Sequence, residues 1–259
     1  MSVEKQARII VEREIERPVS LHDDGSSPGM YDLRVGYIEA PDIAIECVGA
    51  VDSIRTETWN VGPAKGPIST TLTGDWSVEL RSSARVKRLS AQLPSILLEC
   101  ERRELVGFLA VDWPLKRIDS TLHSALDALG IESIHCFRTQ GTGEVHLGMT
   151  GIGGGVDTSG KEVPNWILEF LRAPERADVL SKLLRSGARE CHVFVPVSFG
   201  GAPWAVESYL GRSIEVLPQS APDLPVPVDA VWITYGAAGV RWDGTHWQTF
   251  DAFVPPDAD

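Results

Sequence analysis

The chain predicts an α/β protein with a mixed central sheet flanked by helices. Three observations lead there. Segments 42–48, 190–197 and 231–235 are apolar on both faces, the pattern of strands inside a covered sheet. Segments 31–39 and 75–81 alternate instead, as strands with one exposed face do. Between these, apolar residues return every three or four positions, as in helices packed by one side. With 259 residues, of which 43% are hydrophobic and 23% charged, the chain can bury such a core. It reads as one globular domain over 1–259, with a possible subdivision into 1–104 and 105–259.

In order, residues 3–17 predict a helix with Val3, Ala7, Ile10, Val11 and Ile15 inward, stopped by Pro18. Residues 18–30 read as a polar loop. Its His22, Asp23 and Asp24 are consecutive and cannot converge on one ion unaided. Strands follow at Tyr31–Glu39 and Asp42–Val48, then a short helix or turn from Val51 and a loop holding Lys65. Trp76, Val78 and Leu80 mark the next strand. A helix follows with Leu89, Leu93 and Leu97 inward, which Pro94 is expected to kink or divide. Residues 112–130 predict a single helix, with Asp112 as N-cap, Pro114 in the first turn and Gly130 past the end.

Ile131–Thr139 and Glu144–Met149 predict a hairpin. The glycine-rich 150–160 lacks G-x-G-x-x-G spacing and reads as a loop rather than a phosphate cradle. Helices at 164–172 and 174–186 come next, the second with Val179, Leu180, Leu183 and Leu184 inward and Gly187 at its end. The strand 190–197, a helix at 202–211, the proline-rich connection 218–228 and the strand 231–235 follow. A hairpin around Asp243-Gly244 closes the chain.

The net charge of −12 argues against a broad nucleic-acid surface or an anionic membrane partner. A local groove is compatible with it, and Arg81, Arg85, Lys87 and Arg88 are the candidate nucleic-acid-binding residues; the alternative is a solvated helix face. No window approaches a membrane-spanning apolar run, and the charged N-terminus is unlike a signal peptide. Cys47, Cys100, Cys136 and Cys191 show neither C-x-x-C nor zinc spacing and read as buried free thiols, so a cytoplasmic location is expected.

The chemistry centres on two acids. Asp32 heads one strand, and Glu46 sits in the next, where a carboxylate is costly because both faces are apolar. This pairing resembles the PD-(D/E)xK, restriction-endonuclease-like nucleases, in which an Asp opens one strand and an acid-x-Lys ends the next. The resemblance covers roughly the first hundred residues and implies a restriction-endonuclease-like core there. It implies phosphodiester cleavage with Asp32 and Glu46 holding Mg²⁺ or Mn²⁺, and a helix glutamate such as Glu12 as a further metal-shell carboxylate. Val48 occupies the lysine position, a departure from the pattern, so the lysine must come from elsewhere; Lys65 is the nearest candidate and Arg55 the other. Glu79-Leu80-Arg81 is a rival acid-x-basic triplet on an alternating strand.

Two other readings stay open. One is a non-catalytic interaction protein built on the same sheet, suggested by the acidic surface, the missing lysine and the proline-rich segment. The other is a serine hydrolase using Ser198, with Asp229 or Asp243 and His246 downstream. The chain's cadence, with eighteen Arg against six Lys, also resembles bacterial proteins of high-GC genomes.

Overall fold

The computed structural model describes residues 1–23, 25, 29–111, 113–149 and 157–255, apart from the side chains of Lys87, Trp113 and Pro114. The chain is a mixed α/β protein whose contacts separate into two compact units. The first is Met1–Val51 with Gly154–Asp259, and the second is Asp52–Gly153. The possible division near residue 104 therefore falls inside the second unit, between helices and strands that share one core. Elements are numbered along the chain.

In the first unit, helix α1 (Val3–Ile15) starts at Ser2, whose side chain accepts from Lys5 N, and ends on Glu16 in the left-handed region. Strands β1 (Val19–Leu21), β2 (Leu33–Gly36) and β3 (Pro41–Cys47) form an antiparallel meander. The second unit intervenes with helix α2 (Ser53–Val61), strands β4 (Ile68–Ser69) and β5 (Asp75–Leu80), and helix α3 (Val86–Arg102). Strand β6 (Leu109–Ala110), helices α4 (Trp113–Ile118) and α5 (Ser120–Ala128), and strands β7 (Ile131–Arg138) and β8 (Glu144–Met149) complete it. The first unit resumes with α6 (Val163–Arg172), α7 (Ala177–Ser186), β9 (Glu190–Pro196) and α8 (Trp204–Leu210). It finishes with β10 (Ala230–Tyr235), β11 (Ala238–Trp242) and β12 (Trp247–Asp251).

The first unit's seven strands run β1-β2-β3-β9-β10-β11-β12, with β3, β9 and β10 parallel and the other pairs antiparallel. Both faces are covered, as the doubly apolar strands require. On one side, Ile10 and Val11 of α1 meet Leu33, Val35, Ile45, Phe194 and Trp232. On the other, Ile167, Leu171 and Leu183 of α6 and α7 meet Ala44, Val193, Val195 and Ile233. Gly187 ends α7 in the left-handed conformation (φ 66°) that a side chain would resist.

The second unit's sheet runs β4-β8-β5-β7-β6. Trp76, Val78 and Leu80 of β5 pack under Leu89, Leu93 and Leu97 of α3 and Leu126 of α5. Here the structure departs from the sequence expectations three times. β7 and β8 are not a hairpin: both pair with β5, antiparallel and parallel respectively, so β5 lies between them. Buried Asp75 explains the crossing, because its carboxylate accepts from Thr142 N and Glu144 N and lashes the 139–144 connection over the start of β5. The helix expected over 112–130 is two helices, since Asp119 leaves the helical path and its side chain caps α5 through Thr121 N and Leu122 N. Helix α3 runs unbroken through Pro94, whose missing N–H frees only the carbonyl of exposed Ser90. The proposed cap Asp112 and most of the glycine-rich stretch lie outside the described residues.

Core assignment is directly testable on α3. Leu97→Ala should cost about 2–5 kcal/mol, as core truncations do, whereas Leu98→Ala on the exposed side should stay within roughly 1 kcal/mol. Chemical denaturation of the two variants measures both, and equal losses would refute the assigned face.

Candidate functional site

Antiparallel pairing of Leu33 with Ile45 brings Asp32 beside Glu46 one step further along the two strands. Alternation then decides the face. Leu33, Ile43 and Ile45 point toward α1, while Ala44 points toward α6 and α7, and Glu46 follows Ala44. The two acids expected to act together therefore share one face of one sheet. Glu46 is 3% exposed. Asp32 is half-buried, and its Oδ2 accepts from Cys47 N at 2.6 Å, joining the head of β2 to the end of β3.

The cation on Glu46 comes from an element that sequence reasoning did not consider. Lys182 of α7 donates from Nζ to Glu46 Oε1 at 2.7 Å and lies 3.8 Å from Asp178 Oδ2, one helical turn earlier. The expected Lys65 is an exposed residue of a short 3₁₀ turn in the second unit, and Arg55 belongs to α2 of that unit. Glu12 is not part of the cluster: it sits on α1, which packs on the opposite face of the sheet. A signal for Lys182 was present in its position three residues after buried Val179 and four after Asp178, which puts it on the flank of the packed face. Leu184, expected inward, is exposed.

Burial sets the electrostatics. It pushes the Glu46 carboxyl from 4.5 up to about 7, against the pull of the Lys182 hydrogen bond, with the Asp32 charge adding to the rise. Asp32 is raised by the same cause, offset by the Cys47 N–H and by Lys182. Burial would lower Lys182, yet the hydrogen bond and charge of Glu46 outweigh it, so the ammonium is held in its charged form. Glu46 Oε2 is buried and has no hydrogen-bond partner among the described residues. The more exposed members of the cluster are Asp178 and half-buried Asp32.

Among the described residues, no group of three or more His, Cys, Asp or Glu side chains is placed to hold a metal ion. The cluster nevertheless carries two hard-oxygen carboxylates on one face, one of them with an orphaned oxygen, a donor set suited to Mg²⁺ or Mn²⁺.

The remaining candidates separate. Arg81 is occupied by Asp127 and Glu132, both at 2.8 Å. Arg85 and Arg88 are exposed and line a groove of about 400 Å³ in the second unit with Ile54, Ser82 and Ser83. The Lys87 side chain lies outside the description. Ser198 follows the C-terminal end of β9, where its N–H bonds Ala50 O. Asp229 accepts from Cys191 N at the strand's other end, and Asp243 and His246 close the β11–β12 turn. The register places that turn beside the start of β9, so no Ser-His-Asp arrangement forms; the ends of the strand are separated by roughly 15–20 Å at the usual rise per residue. No helix of the described residues is long and apolar enough to cross a membrane.

No family model, curated protein or solved structure matches this chain.

The pair yields two predictions. Because the folded-state pKa of Glu46 lies above its ordinary value, the native state binds the extra proton between about 4.5 and about 7, and stability falls as pH rises through that window. Glu46→Gln should flatten this slope in urea titrations at a series of pH values; an unchanged slope would assign it to other groups. Lys182→Ala should cost about 3–5 kcal/mol above pH 7, where it strands a buried charge, and clearly less at pH 5, measured in the same titrations.

Proposed function

We propose that the protein is a metal-dependent phosphodiesterase of the nuclease kind, with Asp32, Glu46 and Lys182 as its reactive set. One observation carries this reading: Lys182 supplies, from a helix, the ammonium that PD-(D/E)xK nucleases place two residues after the acid, and here it meets Glu46 at 2.7 Å. The restriction-endonuclease-like core is part of the same proposal, supported by the meander β1–β3 followed by the parallel strand β9.

Asp32 and Glu46 would hold the divalent cation, Glu46 through its unpartnered Oε2. That cation would acidify a bound water and neutralise charge growing on the phosphodiester. Lys182 orients Glu46, keeps a positive charge beside the reacting phosphate and remains protonated at neutral pH because the carboxylate supports it. Asp178 steadies Lys182 from the solvent side. Nucleic-acid contact by Arg85 and Arg88 is proposed for the second unit by itself, where both are exposed along the groove they line with Ser82 and Ser83.

A second reading, a non-catalytic interaction protein, is favoured by the depth of Glu46 and by its direct pairing with lysine. In that case Lys182 is a strap fixing α7 to β3, not a reactive group.

Metal separates the two. Mn²⁺ should raise the melting temperature of the wild type and leave Asp32→Asn and Glu46→Gln unmoved. Mg²⁺-dependent cleavage of a labelled single- or double-stranded oligonucleotide should fall by about a hundredfold or more in Lys182→Met while the Mn²⁺ shift persists. No Mn²⁺ shift in the wild type, or cleavage that survives Glu46→Gln, overturns the phosphodiesterase reading.

A further inference from the structure

Among the described residues, the helices of the second unit cover one face of its sheet: α2, α3, α4 and α5 all pack against the side bearing Trp76, Val78 and Leu80. The other side of β5 carries Ser77 and Glu79. Ser77 pairs with His135 of β7 and His146 of β8, so two imidazoles flank it across three adjacent strands. Each imidazole meets an exposed phenyl ring edge to face: Phe137 with His146 at 5.5 Å between ring centres, and Phe108 with His135 at 6.4 Å. Phe137 is 44% exposed and Phe108 66% exposed. A band of four rings therefore crosses a face that solvent reaches.

The charge beside this band is negative. Glu79 pairs across the sheet with Gly148, and a Cβ there would stand 2.3 Å from Glu79 Oε1, so the carboxylate lies over the bare backbone of that glycine. It is half-buried and has no hydrogen-bond or ion-pair partner among the described residues, and burial raises its pKa. Glu144 adds a second carboxylate, 3.4 Å from His146 Nε2. The nearest arginine on these strands, Arg138, is already directed at Asp75 at 3.7 Å.

We propose that this open face docks an extended arginine-bearing segment of another protein, with guanidinium groups stacked on the Phe137 and Phe108 rings and paired with Glu79. Three features select this occupant. Exposed rings attract cations through their faces, and a planar guanidinium stacks on them better than an ammonium does. A half-buried carboxylate without a partner is completed by a planar fork of donors. Extended peptides lie naturally along strands and place alternate side chains on one face. Nucleic-acid bases could also stack on the rings, but their phosphates would meet Glu79 and Glu144 on a chain of net charge −12. The inference is independent of the chemistry assigned to Asp32, Glu46 and Lys182.

The test is fluorescence anisotropy on the full chain with a labelled Gly-Arg repeat peptide, and separately with labelled oligothymidine. The peptide should bind, and Phe137→Ala and Glu79→Gln should each weaken binding by about tenfold. Glu175→Gln, an exposed acid in the first unit, should change it less than about twofold, as expected for a remote screened charge. Thermal melts of the variants, expected to match the wild type, confirm that the face is intact. Equal weakening by all three variants would reduce the effect to bulk charge and overturn the proposal. So would absence of peptide binding, or oligothymidine binding that Phe137→Ala removes.

Discussion

A carboxylate in a strand buried on both faces is the constraint around which the first unit is arranged. β3 lies between β2 and β9, with α1 on one side and α6 and α7 on the other, so Glu46 has no path to bulk water along its own strand. An isolated charge there would be prohibitively expensive. The fold meets this by aiming a lysine inward from α7, whose stem crosses the packed interface while its ammonium reaches Glu46 Oε1. Lys182 is only 17% exposed, so its own desolvation is part of the cost. Such a pair is weak evidence for stability, since apolar residues of similar size pack at least as well. The pair therefore has to be understood through what it positions, α7 against β3 and an ammonium against a buried carboxylate, rather than through net stabilisation.

The two sheets illustrate opposite ways of using a β surface. In the first unit both faces are covered, and polar groups gather where the strands end, at Asp32, Glu46 and Lys182. In the second, the described helices cover one face, and the other carries the rings of Phe108, His135, Phe137 and His146 and the acids Glu79 and Glu144 among the small residues Ser77, Ser133 and Gly148. Gly148 illustrates how closely this face is built, because any larger residue would displace the Glu79 carboxylate. The carboxylate cluster and the ring band thus have separate structural origins, one in two-sided burial and the other on the face opposite the described helices.

Much of this was legible along the chain. Hydrophobic periodicity located α1, α3, α6, α7, β3, β5, β9 and β10, because those signals are long or are reinforced by caps such as Gly187. The pairing of Asp32 with Glu46 was legible too, since an acid in a doubly apolar strand needs company and the preceding strand offers one. Where the reading failed, the cause was long-range. Short sequence separation suggested that β7 and β8 pair with each other, yet β5 lies between them because Asp75 holds their connection. Asp119 was a helix interior by pattern and a helix cap in space. Glu12 had suitable chemistry on a helix that packs on the wrong side of the sheet.

The sequence by itself determined where the longer strands and helices lie, which strands are buried on both sides, and that Glu46 would need a partner; the short strands β1, β4 and β6 carry too few residues to leave a periodic signal. Those properties depend on local backbone preference and on the pattern of apolar residues, both of which are written within a few positions. Only the tertiary structure decided that the partner is Lys182, 136 residues further along, and that it approaches from α7. A hydrogen bond between distant residues depends on the register of β3 against β9 and on the seating of α7 over both, and neither is encoded in the neighbourhood of either residue.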